Sequence, residues 1–176
     1  YNRGFNSSYV GGDSVELFST AHTSKAGNWS NHLTTAADMS EASLEDLVIQ
    51  IMGATNDRGL KFSNMPKALI VPRQLWFEAS RIVKSTLQND TANNAMNVLN
   101  STGTFPEGIK VNHYLTDADA FFIRTNCPRG MMHFDRDMLP LEQDNDFDTK
   151  NAKAKCYERY SFGWTDPRGA YASPGA

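Results

Sequence analysis

The sequence predicts an α+β fold, and three stretches carry that prediction. Residues 41–53 hold an amphipathic helical stripe, residues 68–71 form a short apolar run leading into a second helical stripe at 73–87, and residues 152–164 alternate apolar and polar side chains. Helical period 3.6 and strand period 2 therefore occur in separate parts of one chain.

Residues 1–5, YNRGF, read as the tail of a helix or strand that begins earlier. The chain starts at Tyr1 without a Met, and the expectation is a processed product or part of something longer. Residues 6–12 are a loop, and 11–35 are polar throughout, with Val15, Leu17, Phe18, Trp29 and Leu33 as the available anchors. A long irregular excursion follows from that composition. Ser40 is a good N-cap, with acids in the first turn behind it and with Leu44, Leu47, Val48, Ile51 and Met52 on one helical face. The helix ends near Gly53. Asp57-Arg58-Gly59 is a turn, ALIV at 68–71 a buried strand, and Pro72 opens the helix at 73–87 on whose buried side lie Leu75, Ala79, Ile82, Val83 and Leu87. Residues 88–106, QNDTANNAMNVLNSTGTFP, have no period and read equally as a functional loop or a merely solvated one. Short strands are expected at 109–114, 120–124, 131–134 and 139–146.

The stretch 152–164, AKAKCYERYSFGW, reads as one strand of about 40 Å at ~3.3 Å per residue. Ala152, Ala154, Cys156, Tyr160, Phe162 and Trp164 fall on a face expected to be buried, and Lys153, Lys155, Tyr157, Arg159 and Ser161 on a wet one. Glu158 is the exception on the apolar face. A buried carboxylate needs a cation, and the in-strand cations point the other way, so the partner is an intrachain Arg (Arg124, Arg136 or Arg168) or a residue of another subunit. A turn at 148–151 would set Asp146 against Lys153 and Asp144 against Lys155, each pair worth about 0.2–1 kcal/mol.

The 176 residues suffice for one domain or two small lobes sharing strands. A net charge of -3 disfavours direct nucleic-acid binding. Cys127 and Cys156 fit neither a disulfide framework nor a zinc site, and a soluble chain is expected because no run approaches ~18 apolar residues and no signal peptide opens it. The acidic run Glu142, Asp144, Asp146, Asp148 begins like a calcium loop. Counted from Asp144, however, its sixth position is Thr149 and its twelfth Lys155, where Gly and Glu are needed. His22, His32, His113 and His133 lack zinc spacing, no nucleophile signature surrounds Cys127, and no phosphate-binding glycine loop occurs. The reading names no catalytic, metal or cofactor residue, and four N-x-[ST] sequences are expected by chance.

Taken in order, SLEDLVIQIMGATNDRGLKF, PKALIVPRQLWFEASRIVKS, GIKVNHYLTDADAFFIRT, RGMMHFDRDMLPLEQDNDFD and AKCYERYSFGWTDPRGAY resemble the tailed-bacteriophage major capsid proteins of HK97-like fold. YNRGFN and GGDSVELFSTAH resemble that family's run-out from its spine helix. The resemblance implies an end of spine and polar excursion at 1–37, an axial domain at 38–135, and peripheral-domain long strands with the C-terminus at 136–176. It implies a structural subunit, not an enzyme, that forms pentamers and hexamers and then an icosahedral head enclosing double-stranded DNA without reading its sequence. Decoration, scaffold and portal proteins are the further partners, no membrane is involved, and the place is the virion after assembly in the host cytoplasm. An N-terminal arm, an extended loop and most of the spine helix would precede Tyr1 in that family. Subunit-interface candidates are Glu158 and Arg159 on the long strand and Asn93, Asn94 and Asn97 in the 88–106 loop, which would match the family's axial tip. The alternatives are an encapsulin-type nanocompartment shell and an α/β enzyme.

Overall fold

The computed structural model describes residues 1–88 and 95–176. In chain order the elements are β1 (His22–Ser24), β2 (Gly27–Trp29), α1 (Glu41–Met52), β3 (Pro66–Val71), α2 (Trp76–Lys84), α3 (Val98–Ser101), β4 (Ile109–Val111), β5 (Phe121–Thr125), β6 (Met131–Asp137), β7 (Leu141–Asn145), β8 (Ala152–Cys156), β9 (Arg159–Trp164), a 3-10 turn (Pro167–Gly169) and β10 (Ala170–Ser173). The class is α+β, as the sequence predicts.

A four-stranded sheet in the order β10-β5-β3-β4 organises the chain. β5 runs antiparallel to both β10 and β3, whereas β3 and β4 are parallel and joined through α2 and α3. Strands covered on both faces read as continuous apolar runs, and β5 does so. Phe121 and Ile123 point into a core with Leu44, Leu47 and Ile51 of α1, Ala79 of α2 and Leu99 of α3. Phe122 points the opposite way, into a second core with Leu17, Phe18, Ala170 and Ala172. Tyr1, Phe5 and Phe18 bring their rings to within 4.9–6.0 Å of Phe122. The irregular N-terminal stretch is thus a third layer, and each large side chain buried in these cores contributes about 1.5–3 kcal/mol.

α1 matches its sequence signals. The Ser43 amide donates to Ser40 Oγ at 3.1 Å and the Ser40 amide to Ser43 Oγ at 2.9 Å, a capping box with serine at both ends. Gly53 closes the helix, its amide donating to the Ile49 carbonyl at 2.9 Å. α2 is shorter than expected at both ends. Residues 73–75 form a turn after Pro72, and Ser85 adopts an extended backbone (ψ 143°) that stops the helix. The reason lies in a distant side chain. Asn97 Nδ2 donates to the Ile82 carbonyl at 2.5 Å and to Ser85 Oγ at 2.9 Å, which satisfies the helix end and leaves Leu87 outside and exposed.

The single strand expected at 152–164 is two. β8 pairs with β7 and β9 with β6, both antiparallel, and Tyr157-Glu158 interrupt one side of the ribbon opposite Met138, Leu139 and Pro140 on the other. Pro140 has no N–H for the ladder, and the register also shifts between Asp135 and Asp137, so pairing cannot run through. The face expected to be buried is not covered by the described residues, and residues 151–162 are exposed on both sides of the ribbon. Of the two expected ion pairs one forms, Lys153–Asp146 at 3.0 Å, while Lys155 takes Glu142 at 2.7 Å instead of Asp144. The turn spans 146–151 rather than 148–151, which slides the register so that Asp144 lies opposite Lys153.

The expected division after residue 135 cuts β6, and β10 at the chain end lies in the central sheet beside β5. At the ribbon root two backbones touch. A Cβ on Gly169 would lie 2.5 Å from the Gly130 Cα, and the Thr165 amide donates to the Gly130 carbonyl at 3.0 Å. Only glycine fits this crossing.

Candidate assembly surface

The ribbon of β6, β7, β8 and β9 is exposed along most of its length. Cross-strand partners share a face, so the register places Leu141 with Cys156, Gln143 with Ala154 and Asn145 with Ala152 on one uncharged face of the outer ribbon. Glu142, Asp144, Lys153 and Lys155 lie on the other. In the inner ribbon His133 is opposite Phe162, and Asp135 opposite Tyr160. The Phe162 ring stacks on His133 at 4.7 Å, and Tyr160 meets both edge-on at 5.4 and 5.5 Å. His133 Nε2 lies 3.2 Å from Asp135 Oδ1. None of these aromatics belongs to either buried core: Phe162 is 74 % exposed, and Phe147 in the terminal turn is 96 % exposed. A two-stranded ribbon is marginal in water by itself.

A second apolar feature is a hollow of about 510 Å³ between α1 and α3, lined by Val48, Ile49, Met52, Met65, Val98 and Leu99. Ile49 is well exposed at its rim.

A polar clasp holds the ribbon root. Arg168 Nε donates to the Thr55 carbonyl at 2.8 Å, and its terminal nitrogens to Asp57 at 2.8 Å and Asp166 at 3.2 Å. The guanidinium also lies 4.4 Å from the Trp29 ring centre. Asn31, fully buried, donates to the carbonyls of Leu17, Pro167 and Ala170 at 2.7–3.1 Å. No pattern in the sequence singles out Asn31, His22 or Arg168. Each is an isolated polar residue in irregular chain whose role depends on carbonyls far away in sequence.

The sequence-derived interface residues fare differently from one another. Glu158 is exposed at the ribbon break and enters no ion pair among the described residues, so no buried charge needs neutralising within the chain. Arg124 is engaged by Glu107, and Arg168 by Asp57 and Asp166, so two of the three proposed intrachain partners are held elsewhere. Arg159 is exposed, with its guanidinium 5.9 Å from the Tyr157 ring centre. Asn93 and Asn94 lie outside the described residues. Asn97 is 1 % exposed and serves inside the subunit, where besides ending α2 it accepts from the Asn100 amide as the N-cap of α3. Asn97→Ala is therefore expected to destabilise the isolated subunit by about 2 kcal/mol, from a lost cap and an orphaned carbonyl, which denaturant unfolding measures.

Burial pushes the Cys127 thiol up to about 11, and the Asp166 carboxylate 3.5 Å away adds to the rise while Arg168 opposes it. The thiolate is the reactive form, so in unassembled chain Cys127 is expected to label with maleimide at pH 8 at least tenfold more slowly than Cys156, which is exposed on β8. Peptide mass spectrometry reads both rates, and equal rates would contradict the burial argument. The raised value favours the neutral thiol in the fold. Its contribution to stability is complete below the unfolded thiol's value of about 8.5 and is lost as pH rises toward about 11.

Among the described residues no group of three or more His, Cys, Asp or Glu side chains is arranged to hold a metal ion. No described helix is long and apolar enough to cross a membrane. What the geometry offers is a surface for docking.

The chain is similar to a virus-like particle protein from Pyrococcus furiosus, with 12% identity and a TM-score of 0.43 over 81% of this chain and 55% of that one. It is similar also to a structure from Mycobacterium phage Che8, with 18% identity and a TM-score of 0.43 over 82% of this chain and 54% of that one. The chain thus spans about half the length of these solved structures. No curated protein matches it. The family described as phage capsid protein matches residues 10–173. The chain belongs to that phage capsid protein family.

Proposed function

We propose that this chain is a structural, non-enzymatic shell subunit of HK97-like fold that assembles through pentamers and hexamers into an icosahedral phage head enclosing double-stranded DNA. Beyond family membership, the observation that carries the reading is the ribbon β6–β9, whose uncharged outer face and aromatic inner face are left exposed by the described residues of the chain. A closed shell covers such a face with neighbouring copies, since head-to-tail contacts that close generate rings.

In this reading the axial part is the central sheet with α1, α2 and α3, built mostly from residues 38–135 and completed by β10, and the peripheral part is the ribbon from Met131 to Trp164. Residues 1–37 are the run-out from the spine region. The 88–106 segment, which contains α3 and whose Asn93 and Asn94 lie outside the described residues, belongs near the capsomer axis in this reading, and Glu158 and Arg159 meet another subunit at the ribbon break. Decoration, scaffold and portal proteins bind the assembled shell, which forms in the host cytoplasm and becomes the virion capsid.

Expression of the full-length protein, followed by negative-stain imaging and analysis of nuclease-protected contents of native particles, tests this. Closed particles with five- and six-fold capsomers around double-stranded DNA are expected. Particles filled with cargo protein would make it a nanocompartment shell instead, and a monodisperse monomer at high concentration would end the shell reading.

A further inference from the structure

The hydrogen bonds around His22 leave that ring no place to accept. His22 is 1 % exposed, and its Nδ1 lies 2.6 Å from Asp13 Oδ2. Its Nε2 lies 3.1 Å from Asn31 Oδ1 and 3.2 Å from the Leu17 carbonyl. The amide of Asn31 cannot be turned round to offer a donor, because its Nδ2 faces three carbonyls and its Oδ1 already accepts from the Ser19 amide at 3.0 Å. Both ring nitrogens therefore face acceptors. A neutral imidazole has one N–H and would set a lone pair against an oxygen, whereas the imidazolium donates from both nitrogens.

The other charged groups nearby are accounted for. Trp29 of β2 stacks on the His22 ring at 4.7 Å and also carries the Arg168 guanidinium at 4.4 Å. That second cation is balanced by Asp57 and Asp166, which leaves Asp13 as the counter-ion of His22. Through Asn31 the ring is linked to the Pro167 and Ala170 carbonyls, where the ribbon root enters the central sheet. We propose that His22 is held in the fold as an imidazolium donating from both ring nitrogens, and that loss of one of those protons to solvent unfastens the 11–35 segment from the ribbon root. The clasp is a property of the single chain and stands apart from the shell role.

The test uses the full-length chain labelled with 15N-histidine, with His22→Gln assigning the signals, and follows amide hydrogen exchange over a pH series. Folded chain should show protons on both His22 nitrogens. When the ring loses one, protection at the Ser19 and Asn31 amides should fall at least tenfold while α1 amides such as Leu47 keep theirs. A ring nitrogen without a proton in the fully protected chain would overturn the proposal, as would unchanged protection through deprotonation, or loss of α1 protection at the same pH. In His22→Gln the Ser19 and Asn31 protection should be low at every pH, and a surviving pH step there would equally overturn it. Should that variant fail to fold, the pH series on the unsubstituted chain decides alone.

Discussion

Replacing Arg168 by methionine lowers subunit stability by about 3 kcal/mol, the low end of what breaking a buried ion pair costs. The Arg168 side chain is 8 % exposed and joins three separate pieces of chain: the Thr55 carbonyl and Asp57 after α1, Asp166 at the ribbon root, and the Trp29 ring in the N-terminal layer. Methionine keeps much of the apolar stem but leaves the Thr55 carbonyl without its donor and the Asp166 carboxylate without its cation, with the Arg168 amide at 3.0 Å and Cys127 Sγ at 3.5 Å still donating to Asp166. Asp57 is 72 % exposed and is rehydrated at little cost, which holds the loss at the lower end of the range. The backbone of Arg168 still receives Thr125 Oγ1 at 2.8 Å, so the local turn survives. For a chain of this size the melting temperature should drop by about 6–12 °C. A urea-unfolding difference below about 1 kcal/mol would show that the clasp is ornamental to stability.

Replacing Tyr160 and Phe162 together by serine should have the opposite signature. Both rings are more than half exposed in the single chain and their ring contacts among the described residues are with each other and His133, so unfolding free energy should stay within about 0.5 kcal/mol, as for other surface changes. In an assembly these rings are the natural anchors of the interface. Burying each is worth about 1.5–3 kcal/mol, so their joint loss removes several kcal/mol per contact and should cut particle yield by tenfold or more. Yield is read by sedimentation and imaging, stability by melting of the dissociated subunit. Normal particles from the double variant would remove the ribbon face from the assembly surface. Glu158→Gln read in the same two ways separates a registration contact between subunits from a neutral surface change, since Glu158 has no ion-pair partner among the described residues of its own chain.

Much of the architecture is legible in the residues because it rests on local periodicity. Ser40 with the stripe Leu44, Leu47, Val48 and Ile51 specifies α1 to within a residue, since capping and amphipathicity act inside a few turns. ALIV and the run through Phe121, Phe122 and Ile123 announce strands covered on both faces, and the structure pairs them directly. The alternation at 152–164 is equally real, yet it specifies only which side chains share a face. It does not say whether that face is covered, because the covering atoms belong to no part of the described chain.

The misreadings share a cause. Asn97 looks like one more polar loop residue, but a buried carbonyl at Ile82 needs a donor, and Asn97 supplies it from across the loop. That contact also trims α2 and withdraws Asn97 from the surface. Glu158 looks like a buried charge only while the strand is taken as continuous and half-buried. The break opposite Pro140 leaves it exposed, with no layer over the ribbon among the described residues. The polar stretch at 11–35 has no period at all, and its structure comes from Leu17 and Phe18 packing on the sheet and from Asn31 and His22 satisfying distant carbonyls.

By itself the sequence determined the fold class, the helix start at Ser40, the strands through 68–71 and 121–124 and the face assignments of the ribbon, all consequences of periods 3.6 and 2 and of capping chemistry within a few residues. Only the tertiary structure decided the ribbon's break and register, the return of β10 beside β5, the glycine crossing at Gly130 and Gly169, and the clasp of Arg168, Asn31 and His22. The physical reason is that a buried donor or acceptor must find a partner wherever the fold brings one within about 3 Å, and that partner's distance along the chain leaves no mark in local composition.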